Sequence, residues 1–365
     1  MVKTFKPQAV GMRRNAILYE DDSEIGYRAV SNSRSIINTG NGETHLWTDE
    51  NGYRINRADT MAQSWESYDL KLLAIGDSYI QATTVENEAS VSNLITEMIG
   101  AEYLLNVCTV NAGVAGYDPN HYYLATRKAL MDRDYDLGLV FFYTGNDFIS
   151  EFDTTVYLFS ERGGAGRHPR ESSPGSLFAS MKNFIKRQIV ENSHLYMYIQ
   201  DTLYGYLPGL GYTNRAIPDV FWVENRDFDK WEINAQICLS IAEKFKKYEI
   251  PVVYILIPTV FQCNTKFFDN HIQSSNISPA AVDLYQPNRI LAEKLAERNL
   301  LLIDPLESLQ EKEEAGIVVN GMIDRHLNEA GHRVLAEFIY PTIVDQLGLK
   351  EGNSNMITSE EDNRE

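Results

Sequence analysis

The stretch Lys71-Leu72-Leu73-Ala74-Ile75-Gly76-Asp77-Ser78 decides the architecture of this chain. It begins with a short apolar run of the kind that forms a buried β-strand, and it ends in a small polar turn. Such turns gather at the carboxyl edge of a parallel α/β sheet, where ligands bind. The stretch therefore predicts a strand that delivers Ser78 to a functional edge.

The same pattern of apolar runs separated by helical periodicity continues along the chain. Further strand-like runs occupy residues 104–110, 138–143, 252–257 and 300–303. Helical periodicity occupies 89–99, 120–131, 232–247 and 283–298, and a last helix opens at Asn328 or Glu329 and runs to about Leu347. Alternation of strand and helix favours an α/β fold, with a five-stranded parallel sheet covered by helices on both faces.

Three segments fall outside this regular pattern. Residues 1–68 are predicted to form an amino-terminal extension of short strands packed on the core, followed by the main domain at 69–350. A long insertion at about 148–229 carries an amphipathic helix at 177–189 and a series of tyrosines. Two interpretations of it stay open, a lid or substrate wall and a helical buttress. The acidic tail at 351–365 is predicted to be disordered.

The charge of the chain limits its partners. Among 365 residues, 33 are Lys or Arg and 51 are Asp or Glu, which gives a net charge of −18. This charge argues against nucleic acid and against anionic membranes, and it fits neutral or positively charged substrates. No stretch approaches the ~18 apolar residues of a membrane span. The amino terminus does not resemble a signal peptide, so we predict a cytoplasmic protein.

Neither a metal nor a cofactor is expected from the residue pattern. The three cysteines, Cys108, Cys238 and Cys263, are scattered and form no disulfide framework or zinc spacing. Asp324, His326 and His332 could be imagined as metal ligands, but their spacing matches no established metal site.

Two sequence-distant residues form a candidate nucleophile and base. Serine is a weak nucleophile until a base removes its proton, and His326 is the candidate base for Ser78. Asp324 can accept a hydrogen bond from one imidazole nitrogen and so fix the tautomer. His332 is the alternative base, but it falls inside the last helix. Each residue also has a structural interpretation: Ser78 as a helix cap, and His326 as a surface histidine.

Two further polar turns, at 111–113 and 145–147, each follow a predicted strand of the same sheet. Acyl transfer needs hydrogen-bond donors that face the developing oxyanion. We predict the backbone amides of Ser78 and Gly113 and the side-chain amide of Asn146 as these donors. The alternative is that Gly113 and Asn146 only shape their turns.

Together these blocks resemble the SGNH hydrolases, also called GDSL-like esterases, over roughly residues 69–347. The matching elements are Gly76-Asp77-Ser78, Gly113, Asn146, and His326 with Asp324. The resemblance implies a three-layer α/β/α, flavodoxin-like domain around a five-stranded parallel sheet. It also implies that Ser78, His326 and Asp324 are a catalytic triad.

The chain departs from the family pattern in three places. Residue 79 is tyrosine where leucine is commonest, and Gly145 directly precedes Asn146. The last block is Asp-x-His rather than Asp-x-x-His, a spacing that resembles acetyltransferase-side relatives. In addition, Asn51-Gly52-Tyr53-Arg54 looks like an element found before the serine block in some bacterial members.

The resulting hypothesis is a serine esterase that hydrolyses a small acyl ester, an acetyl ester above all, on a carbohydrate or another small molecule. Two alternatives remain open at this point. One is an O-acyltransferase on the same scaffold, in which an alcohol captures the acyl group. The other is a non-catalytic carbohydrate-binding protein that keeps the fold.

Overall fold

The computed structural model describes residues 18–39, 42–56, 64–148, 157–159, 165–167, 217–227, 229–321 and 324–349. Its strands, in chain order, are β1 (Tyr19–Asp22), β2 (Gly26–Ala29), β3 (Arg34–Asn38), β4 (Glu43–Thr48), β5 (Arg54–Ile55), β6 (Leu70–Ile75), β7 (Val107–Asn111), β8 (Leu137–Tyr143), β9 (Tyr157–Phe159), β10 (Ala165–Arg167), β11 (Val252–Ile257) and β12 (Leu302–Ile303).

The described helices lie between and after the strands of the central sheet. They are α1 (Ser78–Gln81), α2 (Val91–Tyr103), α3 (Pro119–Asp132), α4 (Asp229–Lys246), α5 (Val260–Cys263), α6 (Thr265–Ser274), α7 (Gln286–Ala296), α8 (Leu306–Glu314) and α9 (Glu329–Gln346). Most predicted helices appear within a few residues of their expected bounds. The short helices α5, α6 and α8 were not predicted.

The predicted mixed α/β fold with a mostly parallel central sheet is confirmed. The strand order is β12-β11-β8-β6-β7-β5-β4-β3, and the first five strands of this order run parallel. Buried side chains alternate along β6: Leu72 and Ala74 face one helical layer, and Leu73 and Ile75 face the other. A strand that is apolar on both faces is what a sheet covered on both sides requires.

The amino-terminal extension enlarges this sheet beyond the five strands predicted. β5 pairs antiparallel with β7 through Arg54 and Asn111, and β4 and β3 continue the sheet outward. The short, irregular sequence before residue 69 gave no sign of this pairing. The extension covers the edge of β7, which would otherwise expose unpaired backbone groups.

The strand order has a topological switch point at β6. The chain runs from β6 to β7 on one side and then crosses to β8 on the other side of β6. At such a switch point, the loops after neighbouring strands separate and leave room for a ligand. Ser78 follows β6, and Asn146 follows β8, so both lie at this edge of the sheet.

Several predictions concern residues outside the described ranges. They include the amphipathic helix at 177–189, most of the insertion and the tail at 351–365, and they stay predictions. Within the described residues, none of the helices combines the length and hydropathy of a membrane span. The same residues contain no cluster of three or more His, Cys, Asp or Glu that could hold a metal ion.

Candidate active site

The serine turn is shaped by tight backbone packing. Asp77 caps α1, because its carboxylate accepts a hydrogen bond of 2.9 Å from the backbone N–H of Tyr79. A Cβ atom at Gly76 would lie 2.4 Å from Cγ1 of Ile80, so the turn has no room for a side chain there. Ser78 itself is half-buried at the first position of α1. At this position its backbone N–H has no intrahelical acceptor.

A buried arginine holds the other end of α1. The guanidinium of Arg54 donates hydrogen bonds to the carbonyls of Gln81 (2.6 Å), Ala82 (2.5 Å) and Val85 (2.7 Å), and to that of His45 (3.1 Å). Burial lowers the pKa of Arg54 to about 10, so it stays cationic at neutral pH. It binds the carbonyls that a helix leaves unpaired at its carboxyl end. Arg54 therefore fixes the segment that carries Ser78.

The structure brings Ser78, His326 and Asp324 together, although 248 positions separate the serine from the histidine. Ser78 Oγ lies 2.8 Å from His326 Nε2. His326 Nδ1 contacts Asp324 Oδ1, and the backbone N–H of His326 donates to the same oxygen at 3.3 Å. The three residues predicted as nucleophile, base and orienting acid thus form one continuous hydrogen-bonded series.

The electrostatic surroundings of His326 favour its protonated form. Burial alone would lower its pKa, but the hydrogen bond and charge of Asp324, with the charge of Asp77, raise it above the usual value. Burial in turn raises the pKa of Asp77 to about 6, against the opposing effects of the Tyr79 N–H and of His326. A base with these neighbours can hold the proton that it takes from a serine hydroxyl.

The loop around His326 is fixed on both sides. The backbone N–H of Gly321 donates to the carbonyl of His326 (2.8 Å), and Asn320 Nδ2 donates to the carbonyl of Arg325 (3.0 Å). Asn328 caps α9 by accepting from the N–H of Gly331 at 3.0 Å. These bonds hold the Asp-x-His turn in one geometry.

An aromatic stack lies directly against the base. The ring of Tyr79 is 4.4 Å from the imidazole of His326 at an angle of 40°, and 4.2 Å from the ring of Tyr143 at 27°. Tyr79 is buried, with 4% of its surface exposed. The departure from leucine noted in the sequence therefore places an aromatic face beside the imidazole.

Gly113 is at the site, but its amide has another acceptor. Its backbone N–H donates to Asn111 Oδ1 at 3.1 Å, and a Cβ there would lie 2.4 Å from the backbone nitrogen of Gln81. Gly113 therefore allows close packing of its loop against α1. Its role in an oxyanion hole stays a prediction. An asparagine side chain that bonds the amide two residues later is a common turn, and the sequence Asn-x-Gly already carried that signal.

Gly116 offers an amide that the sequence analysis did not assign. In the loop 113–117, the amides of Val114, Ala115 and Tyr117 donate to Gly76 O, Gln81 Oε1 and Val114 O respectively. Among the described residues, the N–H of Gly116 has no acceptor, and Gly116 is exposed. Its φ of +84° is a conformation that favours glycine.

The turn after β8 presents Asn146 to solvent. Asp147 is buried and accepts from Tyr122 Oη and from the backbone N–H of Tyr143, both at 2.8 Å. Burial, followed by the charge of Asp77, raises the pKa of Asp147 well above its usual value. The Asn146 side chain is exposed and has no hydrogen-bond partner among the described residues. Its amide is thus available at the edge where Ser78 lies, and its role as a donor stays a prediction.

No protein-family model matches the chain, and neither does any curated protein. Among solved structures, the chain is similar to a member of the lipolytic protein G-D-S-L family from Veillonella parvula, with 13% identity, a TM-score of 0.40, and coverage of 75% of this chain and 98% of that chain.

Two acetyl xylan esterases are also among the similar structures. One, AlAXEase, has 16% identity and a TM-score of 0.41, with 75% of this chain and 100% of that chain covered. The other is a variant of an enzyme from Geobacillus stearothermophilus, with 12% identity, a TM-score of 0.39, and 78% and 97% covered. The function proposed below rests on this chain's own residues.

Proposed function

We propose that this chain is a serine esterase in which Ser78 is the nucleophile, His326 the base and Asp324 the orienting acid. The observation that carries the proposal is the 2.8 Å contact between Ser78 Oγ and His326 Nε2, continued by the contact between His326 Nδ1 and Asp324. A serine in an ordinary cap needs no imidazole at its hydroxyl. This pairing is what activation of a serine requires.

The reaction follows from these positions. Ser78 Oγ attacks the ester carbonyl, and its proton passes to His326 Nε2. Asp324 stabilises the imidazolium that forms, and His326 then gives the proton to the departing alcohol. Water enters next and attacks the acyl carbonyl as it gives a proton to His326. The bond between Ser78 Oγ and the acyl carbon then breaks, the acid leaves, and His326 returns the proton to Ser78 Oγ. Because His326 must be neutral to act as a base, its raised pKa moves the acid limit of activity upward.

The oxyanion is proposed to be held by donors that have no other acceptor. The backbone N–H of Ser78 lies at the start of α1, and the Asn146 side chain is free among the described residues. Gly116 supplies the loop amide that remains available, since the N–H of Gly113 already donates to Asn111. Donors with no competing acceptor bind a developing charge without first breaking another bond.

An acetyl ester of a carbohydrate or of another small molecule is the proposed substrate class. It follows from the sequence resemblance. Hydrolysis and transfer to an alcohol share the acyl-enzyme on Ser78 and differ only in what attacks it. Product analysis with and without sugar acceptors separates them, since transfer gives a new ester in place of free acid.

The test is labelling with a fluorophosphonate probe, read by peptide mass, together with hydrolysis of para-nitrophenyl acetate. We expect the wild-type protein to carry the label on Ser78 and to release para-nitrophenol. Ser78→Ala should lose both while melting at the wild-type temperature.

Ser240→Ala is the matched control, because Ser240 lies on α4 and its hydroxyl only donates to the carbonyl of Gln236. It should be labelled and active like wild type. Turnover by a folded Ser78→Ala protein would overturn the mechanism. A folded wild type with neither label nor turnover, yet saturable glycan binding, would instead support the non-catalytic alternative.

A further inference from the structure

Arg325 lies between Asp324 and His326, the two residues whose side chains contact each other in the Asp-x-His turn. Its φ is +70°, in the left-handed region that glycine and asparagine adopt more easily. For other residues this conformation costs on the order of 1 kcal/mol. The tight turn explains the conformation, but it does not explain why an exposed arginine occupies it.

The side chain of Arg325 is held in a defined place. Its guanidinium carbon lies 4.2 Å from the centre of the Phe267 ring. Phe267 in turn stacks on the buried Phe261, with centroids 5.4 Å apart and planes at 18°. A guanidinium over an aromatic ring is attracted by the ring face and can still donate hydrogen bonds from its N–H groups. The stack therefore holds the Arg325 fork beside α6, the helix that follows β11 and α5 in the chain.

No carboxylate neutralises this arginine within the part of the chain that the structure describes. Other arginines there are paired, as Arg28 is with Glu20, Arg289 with Asp283 and Arg298 with Glu232. Arg325 takes part in none of the ion pairs formed among the described residues. Its charge even acts on His271, whose pKa is lowered first by burial and then by Arg325.

We propose that Arg325 forms an anion subsite beside Ser78, which binds a carboxylate carried by the ester substrate. The proposal rests on the serine esterase function and adds a charge requirement to it. The net charge of −18 predicted neutral or positively charged substrates, but it is a property of the whole chain and does not describe the charge at the site. At the site, an unpaired guanidinium next to His326 offers the bidentate donor geometry that suits a carboxylate.

The test compares two matched ester pairs. In the first, para-acetoxybenzoate and para-acetoxybenzamide differ only by a negative charge on the alcohol side. In the second, mono-para-nitrophenyl succinate and para-nitrophenyl butyrate differ by a charge on the acyl side. The measured quantity is the ratio of kcat/KM for the charged ester to that for its neutral partner.

In at least one pair, we expect Arg325→Gln to lower this ratio about tenfold, the usual size of a charge-assisted contact. Arg325→Lys should give an intermediate value, because it keeps the charge and loses the fork. The control is Arg333→Gln, which removes the same charge from an exposed position on α9 and should leave both ratios unchanged. Unchanged ratios in Arg325→Gln for both pairs, or an equal fall in Arg333→Gln, would overturn the subsite.

A binding measurement separates failure of the subsite from failure of the esterase function. Calorimetric titration of para-acetoxybenzoate into Ser78→Ala protein needs no turnover. We expect saturable binding that weakens about tenfold in Ser78→Ala/Arg325→Gln. If no ester is hydrolysed but this difference is found, the subsite stands without the proposed reaction. Equal affinities in the two proteins would reject the subsite even if esters are hydrolysed.

Discussion

Two histidines six positions apart have opposite surroundings, one in the loop at 324–328 and the other in α9. His326 is partly accessible, with 28% of its side chain exposed, and it contacts both Ser78 and Asp324. His332 is 1% exposed, and its Nδ1 accepts a hydrogen bond of 3.3 Å from the backbone N–H of Val91. One ring can exchange a proton with a substrate-side group, and the other is enclosed by the core.

The nearest charges explain why the two pKa values shift in opposite directions. Burial acts on both rings and disfavours the cation. At His326, the bond and charge of Asp324 outweigh burial and raise the pKa. At His332, the charges of Arg54 and His326 add to burial and lower the pKa to about 3. The comparison teaches that an acid partner, rather than the histidine alone, makes a base suited to catalysis.

The largest expected effect separates the two histidines directly. His326→Ala should lower kcat for a neutral ester by roughly 10⁴–10⁶, because the serine loses its base. His332→Gln should keep kcat within about tenfold of wild type, since the His332 ring accepts from the Val91 backbone and, among the described residues, bonds neither Ser78 nor Asp324. Steady-state kinetics on folded proteins measures both. If kcat falls by a similar factor in both variants, the different surroundings of the two rings do not decide which histidine acts in the reaction.

The next prediction concerns the acid that distinguishes the two rings. Asp324→Asn keeps the shape of the side chain but removes its charge, and kcat should fall by roughly 10²–10⁴. The acid limb of the pH profile should move to lower pH, because Asp324 is what raises the pKa of His326. Glu329→Gln removes an exposed acid nearby and serves as the control. If Glu329→Gln lowers kcat as much as Asp324→Asn, the loss comes from removing negative charge near His326 and not from breaking the contact between Asp324 and His326.

A smaller effect is expected from the aromatic ring of Tyr79, which lies beside His326. Tyr79→Leu should lower kcat/KM about two- to fivefold and shift the acid limb to lower pH, because a ring face stabilises an imidazolium. Tyr79→Phe keeps the ring and should follow the wild-type pH profile. The pH dependence of kcat/KM is the measurement. If Tyr79→Phe behaves like Tyr79→Leu, the hydroxyl and not the ring supports the base.

Much of this arrangement could be predicted from the sequence, and the exceptions have physical causes. The strands around Ser78 were visible because a doubly covered sheet needs continuous apolar runs. The pairing of Ser78 with His326 was predicted because a serine needs a base and because Asp324 lies beside this histidine. The buried bonds of Arg54 were not visible, because they depend on backbone carbonyls that no residue pattern marks. The Gly113 amide was predicted as an oxyanion donor from its turn alone. That prediction did not consider that the side chain of Asn111, two residues earlier, accepts a hydrogen bond from the same amide.

The last prediction uses the stability of the fold rather than the reaction. The folded pKa of His332 is about 3, below the ordinary value of 6.5 that applies in the unfolded chain. Between these two pH values the unfolded chain therefore binds more protons than the folded protein. The stability that the neutral His332 ring contributes is complete above pH 6.5. It is lost as the pH falls toward 3, with a slope of up to ~1.4 kcal/mol per pH unit.

His332→Gln should remove this slope, so its unfolding free energy should fall less steeply than that of wild type between pH 7 and pH 4.5. Urea unfolding at several pH values measures the difference. The buried acid Asp77 acts in the opposite direction, since its raised pKa gives stability that is lost as pH rises through about 6. Because both proteins contain Asp77, its effect cancels in the comparison. Parallel curves would show that His332 can be protonated in the folded state, and the proposed difference between the two histidines would then be wrong.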